Sequence, residues 1–435
     1  MRSLSFEIMV VKLMAILLVE TALLLVIGHV VLANNSNSKH ERPQKVTTTI
    51  RDNFRRANGV IKSIQSEDGD IIDCIDIYKQ PALSHPALKN HKIQMEPSYV
   101  PTTDQTTRKI NRAKGKKNKP SKSEVPLSVI KQIWHKNGSC PEGTVPIRRN
   151  LKTNNKAVPI VSRRYQRSFS QLSQNNTSNL LRPNHALSVL RTDGHAYLGA
   201  QGSIAVYNPE VENPDEYSLS DISLENGGPE KFETVRSGWM VNPAVYGDKK
   251  SRFFTYWTSD GGHETGCFDH ICPGFIQLSK NIALGVVIDH ISTTPNKPAE
   301  LMSISIYKDL DTNNWWVDSG EEKIGYWPGD LFDELIKNAE AIQWGGDVYS
   351  TRLETHPHTA TAMGSGAYSS PVDWLSGSIR GIRILQNSMV WKYPDWASPY
   401  ADQVNCYDNN LQVVADDPVF YYGGPGSGGQ ASKCP

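Results

Sequence analysis

Several groups of residues have types and spacings that chemistry uses. His263, Cys267, His270 and Cys272 offer nitrogen and sulfur ligands at a spacing zinc accepts. His263-Glu264 begins like a two-histidine zinc motif, but Cys267 stands where the second histidine belongs, so that reading fails. His85 and His91 meet no ligand spacing and read as surface histidines. Gly423-Gly424-Pro425-Gly426 and Gly428-Gly429 suggest a phosphate cradle, but no strand-glycine-helix context follows, so a glycine-rich loop is the better reading. No metal and no cofactor is expected. What remains is Arg236-Ser237-Gly238-Trp239. A glycine between arginine and tryptophan on a strand marks a place where something comes close to the backbone.

The elements that must position these residues read as strands. From Thr234 to Val241, Val235, Ser237, Trp239 and Val241 fall on one face, and Arg236, Gly238 and Met240 on the other. Asn242-Pro243 and Tyr246-Gly247-Asp248 are turn chemistry, and Arg252 to Thr258 is a second strand rich in aromatics and threonine. From His185 onward, short runs of Val, Ile, Leu and aromatics are punctuated by Gly, Asn, Asp and Pro. This predicts an all-β, antiparallel β-sandwich over 185–435, with one short helix at Asp330–Ala341.

The N-terminal half reads differently. An amphipathic helix is predicted over Val46–Ile64 and a short strand at Ile75–Tyr78. The basic run Arg108–Lys122 lies in a linker, 101–125, expected to be disordered; 139–149 looks ordered again, and 150–184 is a second linker. Arg148-Arg149 and Arg163-Arg164 are candidate processing sites.

A net charge of +1 excludes a charge-driven nucleic-acid partner. Leu13–Ala33 is apolar and ends in Val31-Leu32-Ala33, so residues 1–33 read as a signal peptide, or alternatively as a membrane anchor through 13–33. Either way the rest lies outside the cytoplasm, where Asn137, Asn175 and Asn176 are glycosylation sequons. An even count of six cysteines suits disulfides there, and Cys267–Cys272 reads better as a disulfide than as zinc ligands.

At this point long motifs become specific. SIQSEDGDIIDCIDIYKQPALSHPALKNHKIQMEPS at 63–98 and SCPEGTVPIRR at 139–149 resemble the activation-peptide region of the plant neprosin family. RTDGHAYLGAQGSIAVYNP, SGWMVNPAVYGD, RFFTYWTSDG, TGCFDHICPGF, WWVDSG, IGYWPGDLF, WGGDVYS, NCYD and YYGGPG resemble its C-terminal catalytic domain. The resemblance implies a zymogen, with a pro-region over 46–149 that covers the cleft. It implies a secreted, monomeric protein of the cell wall or apoplast. The implied activity is glutamic endopeptidase cleavage at acid pH with a preference for proline. It also implies Cys267–Cys272 and Cys406–Cys434 pairs, which leaves Cys74 with Cys140.

Two facing acids can share a proton, one serving as general base on water and the other as general acid to the leaving group. Carried over by motif, the family's two glutamates fall on Arg236, two before Gly238-Trp239, and on Asp347, after Gly345-Gly346. Aspartate keeps the acid but shortens its reach by one methylene. Arginine stays protonated and can neither take nor give a proton. An Arg236–Asp347 ion pair is therefore expected across the cleft, with catalysis lost or impaired. Glu233 falls on the wrong face to substitute, and Glu264 has no motif to support it. Gly238, Trp239 and Trp344 are the expected substrate-binding residues, because aromatic clefts suit proline rings and sugar faces. The alternative is a non-catalytic protein that binds Pro-rich peptides or cell-wall glycans in the same cleft.

Overall fold

The computed structural model describes residues 59–103, 130–149 and 184–435, apart from 229–230, 294–296, 373, 415–416 and 430–431. The leader, Asn175, Asn176, Arg163-Arg164 and most of both basic linkers lie outside the described residues. In chain order the strands are β1 (Val60–Gln65), β2 (Ile71–Asp76), β3 (Thr102–Thr103), β4 (Thr144–Arg148), β5 (His185–Tyr197), β6 (Gly199–Ala205), β7 (Tyr217–Asn226), β8 (Glu233–Val241), β9 (Arg252–Thr258), β10 (Cys267–Phe268), β11 (Ile276–Gln277), β12 (Leu301–Lys308), β13 (Trp315–Ser319), β14 (Glu322–Trp327), β15 (Ala339–Tyr349), β16 (Gly377–Leu385), β17 (Val390–Trp391), β18 (Ser398–Ala401), β19 (Asp408–Val414) and β20 (Asp417–Gly423).

Two antiparallel sheets form the sandwich. One runs β10-β9-β8-β7-β15-β5-β18 and the other β11-β14-β13-β12-β6-β16-β20-β19. Their facing sides close one core, in which Ile222, Val235, Trp239, Ile342 and Trp344 meet Ala200, Ile204, Ile304 and Ile379. Alternation then puts the neighbouring side chains on the outer face of the seven-stranded sheet. There a second cluster gathers Tyr217, Leu219, Met240, Phe254, Tyr256, Phe268 and Tyr349. The β8–β9 connection is a single helical turn, α1 (Pro243–Tyr246). Asn242 caps it by accepting the Val245 N–H, Pro243 opens it, and Gly247 at φ 89° closes it, each in its preferred position.

The N-terminal segment adds a three-stranded sheet, β1-β2-β4, tied by the Cys74–Cys140 disulfide. Cys267–Cys272 and Cys406–Cys434 are joined within the sandwich. No helix among the described residues is long and apolar enough to cross a membrane.

Neither expected helix is found among the described residues, and 46–58 of the first lie outside them. Val60–Gln65 pairs with Ile71–Ile75 as a strand. The apolar spacing fitted a helix, but β-branched Val60, Ile61 and Ile64 fit the pleat beside β2 equally well. Asp330–Ala341 is a 3₁₀ turn at Gly329–Leu331 followed by irregular turns and the start of β15. Side chains take the backbone groups a helix would bond to itself. Glu233 accepts the N–H groups of Asp333, Glu334 and Leu335 at 2.7, 2.8 and 2.7 Å, and the Trp315 indole donates to the Leu335 carbonyl at 2.9 Å. Asn226 Nδ2 donates to the Asn338 carbonyl at 2.7 Å.

Candidate active site

The site lies on the outer face of the seven-stranded sheet, and strand register builds it. Gly238 of β8 stands opposite Asp221 of β7, and Asp221 stands opposite Gly345 of β15. A Cβ at Gly238 would fall 2.0 Å from the Ser220 carbonyl oxygen and 2.8 Å from Asp221 Cβ. One at Gly345 would fall 2.3 Å from the Ser188 carbonyl oxygen. Glycine at 238 leaves room for the Asp221 side chain beside it, and glycine at 345 lets β5 come close to β15. The close approach expected at Gly238 is thus made by the neighbouring strand.

One register step away on either side lie Arg236 and Asp347. Arg236 Nε donates to Asp221 Oδ2 at 2.5 Å, and its Nη2 lies 3.5 Å from Asp347 Oδ2. On the far side of Asp347, Oδ1 is 2.8 Å from His185 Nδ1, which begins β5. Arg236, Asp347 and His185 are all buried. The rings of Tyr217 and Tyr349 stack with centroids 5.3 Å apart, and the His185 ring meets each of them edge-on. Beyond β5, Asp402 accepts the Leu187 N–H at 2.7 Å and the Tyr400 hydroxyl at 2.5 Å. Burial pushes the Asp402 carboxyl above the usual range, and the nearby Asp347 adds to the push, while the two hydrogen bonds pull the other way.

This arrangement is a polar path across four strands and the residue after β18: Arg236, Asp221, Asp347, His185, Asp402. Its first member is a fixed cation held by a carboxylate, so it can neutralise charge but cannot transfer a proton. Its chemically adaptable part is the Asp347–His185 pair. The expected Arg236–Asp347 contact is present at 3.5 Å, but the closer partner of Arg236 is Asp221.

Trp239 and Trp344 do not face this site. Each is three residues from its dyad position, an odd step that turns a side chain to the opposite side of a strand. Both are fully buried between the sheets, where Trp239 donates to the Ala205 carbonyl and Trp344 to the Gln201 carbonyl of β6. They brace the wall from behind. Glu233 anchors the 333–335 turn, and Glu264 is exposed in the loop after β9. Asn137 is exposed, with Nδ2 donating to the Gln65 carbonyl at 2.8 Å.

His270 and His358 serve structure. His270 is half-buried with Nε2 2.6 Å from Gln277 Oε1, and desolvation of its ring lowers its pKa to about 4. Cys267 and Cys272 are bonded to each other and so offer no zinc thiolate. His358, Cys406 and Cys434 cluster, but the two cysteines are likewise joined.

The cleft was expected to lie under the pro-region. Among the described residues, the N-terminal segment instead meets α1, β9, the 275–289 stretch and the β12–β14 edge, through contacts such as Arg148–Tyr246, Gln80–Gln277 and Ser98–Asp309. Arg148 and Arg149 are no exposed dibasic site: Arg148 bonds Asp70, and Arg149 bonds Asp73.

His185, Asp221, Tyr217, Tyr349 and Asp402 went unremarked in the sequence. Asp221 had a signal. In YSLSDISLEN the apolar Ile222 and Leu224 share one face, which leaves Asp221 on the face that register aligns with Gly238. His185 and Asp402 had none, because long-range pairing alone brings β5 and the end of β18 to Asp347.

Comparison with known proteins agrees with the motifs. A family model described as Neprosin matches residues 214–425, and one described as Neprosin activation peptide matches 63–200. Among solved structures, scytalido-glutamic peptidase with a transition state analog inhibitor is similar at 8% identity, covering 55% of this chain and 98% of that one, with a TM-score of 0.31. SCP-B, a member of the Eqolisin family of peptidases in complex with the tripeptide Ala-Ile-His, is similar at 9% identity over 55% and 98%, with a TM-score of 0.28. Likenesses at such scores establish neither a shared site nor a shared activity.

Proposed function

The chain belongs to the neprosin family, and from that premise we propose that it is a secreted, zymogen-type member whose glutamic-peptidase catalysis is lost, leaving a protein that binds Pro-rich peptides. One observation carries this reading. The residue at the first dyad position is Arg236, and its guanidinium is held by Asp221 at 2.5 Å and reaches Asp347 at 3.5 Å. A general acid–base pair needs two titratable groups, and a paired arginine is not one. The remaining acid, Asp347, is bonded to His185 at 2.8 Å. All three are buried in the intact chain.

What is left at the site suits binding. Tyr217, Tyr349 and His185 form an aromatic corner beside the Asp347 carboxylate, all buried in the intact chain, so a ligand reaches it only where the surrounding chain opens. Proline rings stack on such faces, and a carboxylate accepts a peptide N–H. Cell-wall glycans would use the same aromatic faces, and titration with an oligosaccharide separates the two ligands.

The test is direct. The acid-treated protein is incubated with a Pro-rich peptide from about pH 2 to 7, and cleavage and binding are both measured. Binding without cleavage is the expected result, with binding weakened in Tyr349→Ala. Cleavage at low pH that disappears in Asp347→Ala would sink the reading.

A further inference from the structure

A pro-region that is shed should meet its catalytic domain through a surface that survives its loss. The surface under residues 59–149 is not of that kind. Arg252 of β9 is 1% exposed, and its Nη1 donates to Asp70 Oδ2 at 2.6 Å and to the Gly285 carbonyl at 2.7 Å. Arg148 of β4 closes the pair from the other side, donating to Asp70 Oδ1 at 2.8 Å and to the Tyr246 carbonyl at 3.2 Å. Both guanidinium groups lie over the Tyr246 ring, at 5.6 and 5.3 Å from its centroid.

Backbone groups of the sandwich depend on the segment as well. Gln80 accepts the Gln277 N–H at 2.8 Å and donates to the Gln277 carbonyl at 3.1 Å. Gln132 repeats the device at Ala283, at 2.8 and 2.6 Å. Trp134 is fully buried in a cluster that contains Ile64, Ile72 and the Cys74–Cys140 bridge together with Ala283 and Val286. Farther along, Ser98 N–H and Gln94 Nε2 both bond Asp309 Oδ2, and Thr102–Thr103 adds a parallel strand beside Val390–Trp391. Departure of the segment would strip a buried arginine of one partner, exchange four backbone hydrogen bonds of the sandwich for bonds to water and expose the apolar surface around Ala283 and Val286. The activation-peptide match also extends to residue 200 and so includes β5, which lies between β15 and β18 and carries His185. That part of the match cannot leave without opening the sheet.

We propose that the segment described at 59–103 and 130–149 is a permanent partner of the sandwich, so that cutting the chain between 149 and 184 gives a noncovalent two-chain protein rather than a released pro-peptide. No disulfide joins the segment to the sandwich, because Cys74–Cys140 closes within it. Attachment therefore rests on the buried contacts alone. The inference is independent of whether the dyad works.

A site-specific protease sequence placed within 160–170 of the full chain allows the test. After cutting, the protein is run on size exclusion at about pH 5 and about pH 7.5 without reductant, and the fractions are resolved on a denaturing gel. The two fragments are expected to co-elute at both pH values. An N-terminal fragment that separates from a still-folded sandwich, as judged by its tryptophan fluorescence, overturns the proposal. Asp70→Asn in the cut protein is expected to release the fragment roughly tenfold faster or more, as loss of a charge-assisted contact implies. Unchanged release overturns the assignment of the anchor to Arg252 and Asp70. Should Asp70→Asn fail to fold, Gln80→Ala tests the same interface through the Gln277 backbone, with faster release again expected and unchanged release counting against it.

Discussion

Two buried arginines stand on the same face of neighbouring strands, each between two aspartates. Arg236 of β8 has Asp221 and Asp347; Arg252 of β9 has Asp70 and Asp248. The partners of Arg252 are both at 2.6 Å, and Asp70 is 182 residues away in the chain. Burial pushes Asp248 upward, yet its bonds to Arg252 hold its pKa below the usual range. The partners of Arg236 differ: Asp221 is at 2.5 Å and Asp347 at 3.5 Å, and all three sit on strands β8, β7 and β15 that the sheet ladder already joins. Similar constellations thus do different work. Arg252 fastens a distant segment to the sheet, while Arg236 sets the charge inside a site that would hold its shape without it.

The largest effect should come from undoing the charge arrangement at Arg236. Arg236→Glu with Asp347→Glu restores the family's two acids, but it also leaves Asp221 beside a new glutamate with no cation. Like charges that close raise one another's pKa and distort the pair. Adding Asp221→Asn removes that conflict. The triple variant is expected to cleave a Pro-rich peptide at acid pH at roughly 10²–10⁴ times the background, the usual contribution of positioned acid–base groups. The double variant should fall well short of it. A folded triple variant with no cleavage across the acid range would show that Arg236 is not what silences the site.

Stability should separate the same two arginines in the opposite direction. Arg252→Met leaves Asp70 and Asp248 buried or half-buried with less cation between them and loosens the N-terminal segment. A cost of about 3–5 kcal/mol is expected in urea unfolding, the range for breaking a buried pair. Arg236→Met leaves Asp347 its His185 partner and breaks no link between distant segments, so about 1–3 kcal/mol is expected, the cost of taking one charged partner from the buried Asp221. Equal losses in the two variants would dissolve the distinction.

Much of this contrast was legible in the sequence on one side only. Alternation along 234–241 placed Arg236 and Trp239 on opposite faces, and the motif around Gly238 located the first dyad position. The same period-2 rule, applied to Trp344 and Asp347, would have excluded Trp344 from the cleft. Asp221 was hidden for a different reason: its importance comes from standing opposite Gly238 and Gly345, and register between strands is not written in either strand alone. Arg252 was read as an ordinary strand residue. Its partner Asp70 lies in an acidic run whose solvent-exposed reading is the natural one until β2 and β4 are seen packed against α1 and β9. The missing 330–341 helix failed for a related cause, since Glu233 and Trp315 come from elsewhere in the chain to claim its backbone groups.

A further expected effect distinguishes the surroundings of the two arginines by pH. Tyr246, which lies beneath the Arg252 guanidinium, donates to Asp269 Oδ2 at 2.8 Å. Burial pushes the Asp269 carboxyl up to about 7, against hydrogen bonds from Thr255 and Tyr246 that pull it down. A folded-state pKa above the ordinary 3.8 means the folded protein keeps a proton that the unfolded chain gives up. The stabilisation is therefore complete below about pH 4 and is lost as pH rises toward 7. Its neighbour His270 works in reverse: burial lowers it to about 4, so its contribution is present above its ordinary value of 6.5 and is lost as pH falls toward 4. Between about pH 6.5 and 8 the aspartate acts almost alone. Stability should fall by roughly 2–3 kcal/mol from pH 5 to pH 8 once the His270 contribution is removed with His270→Gln, and adding Asp269→Asn should flatten the profile. If the His270→Gln protein already shows no fall, Asp269 is ionised in the folded state. The buried joint around Arg252 would then hold one more negative charge at acid pH than its geometry implies.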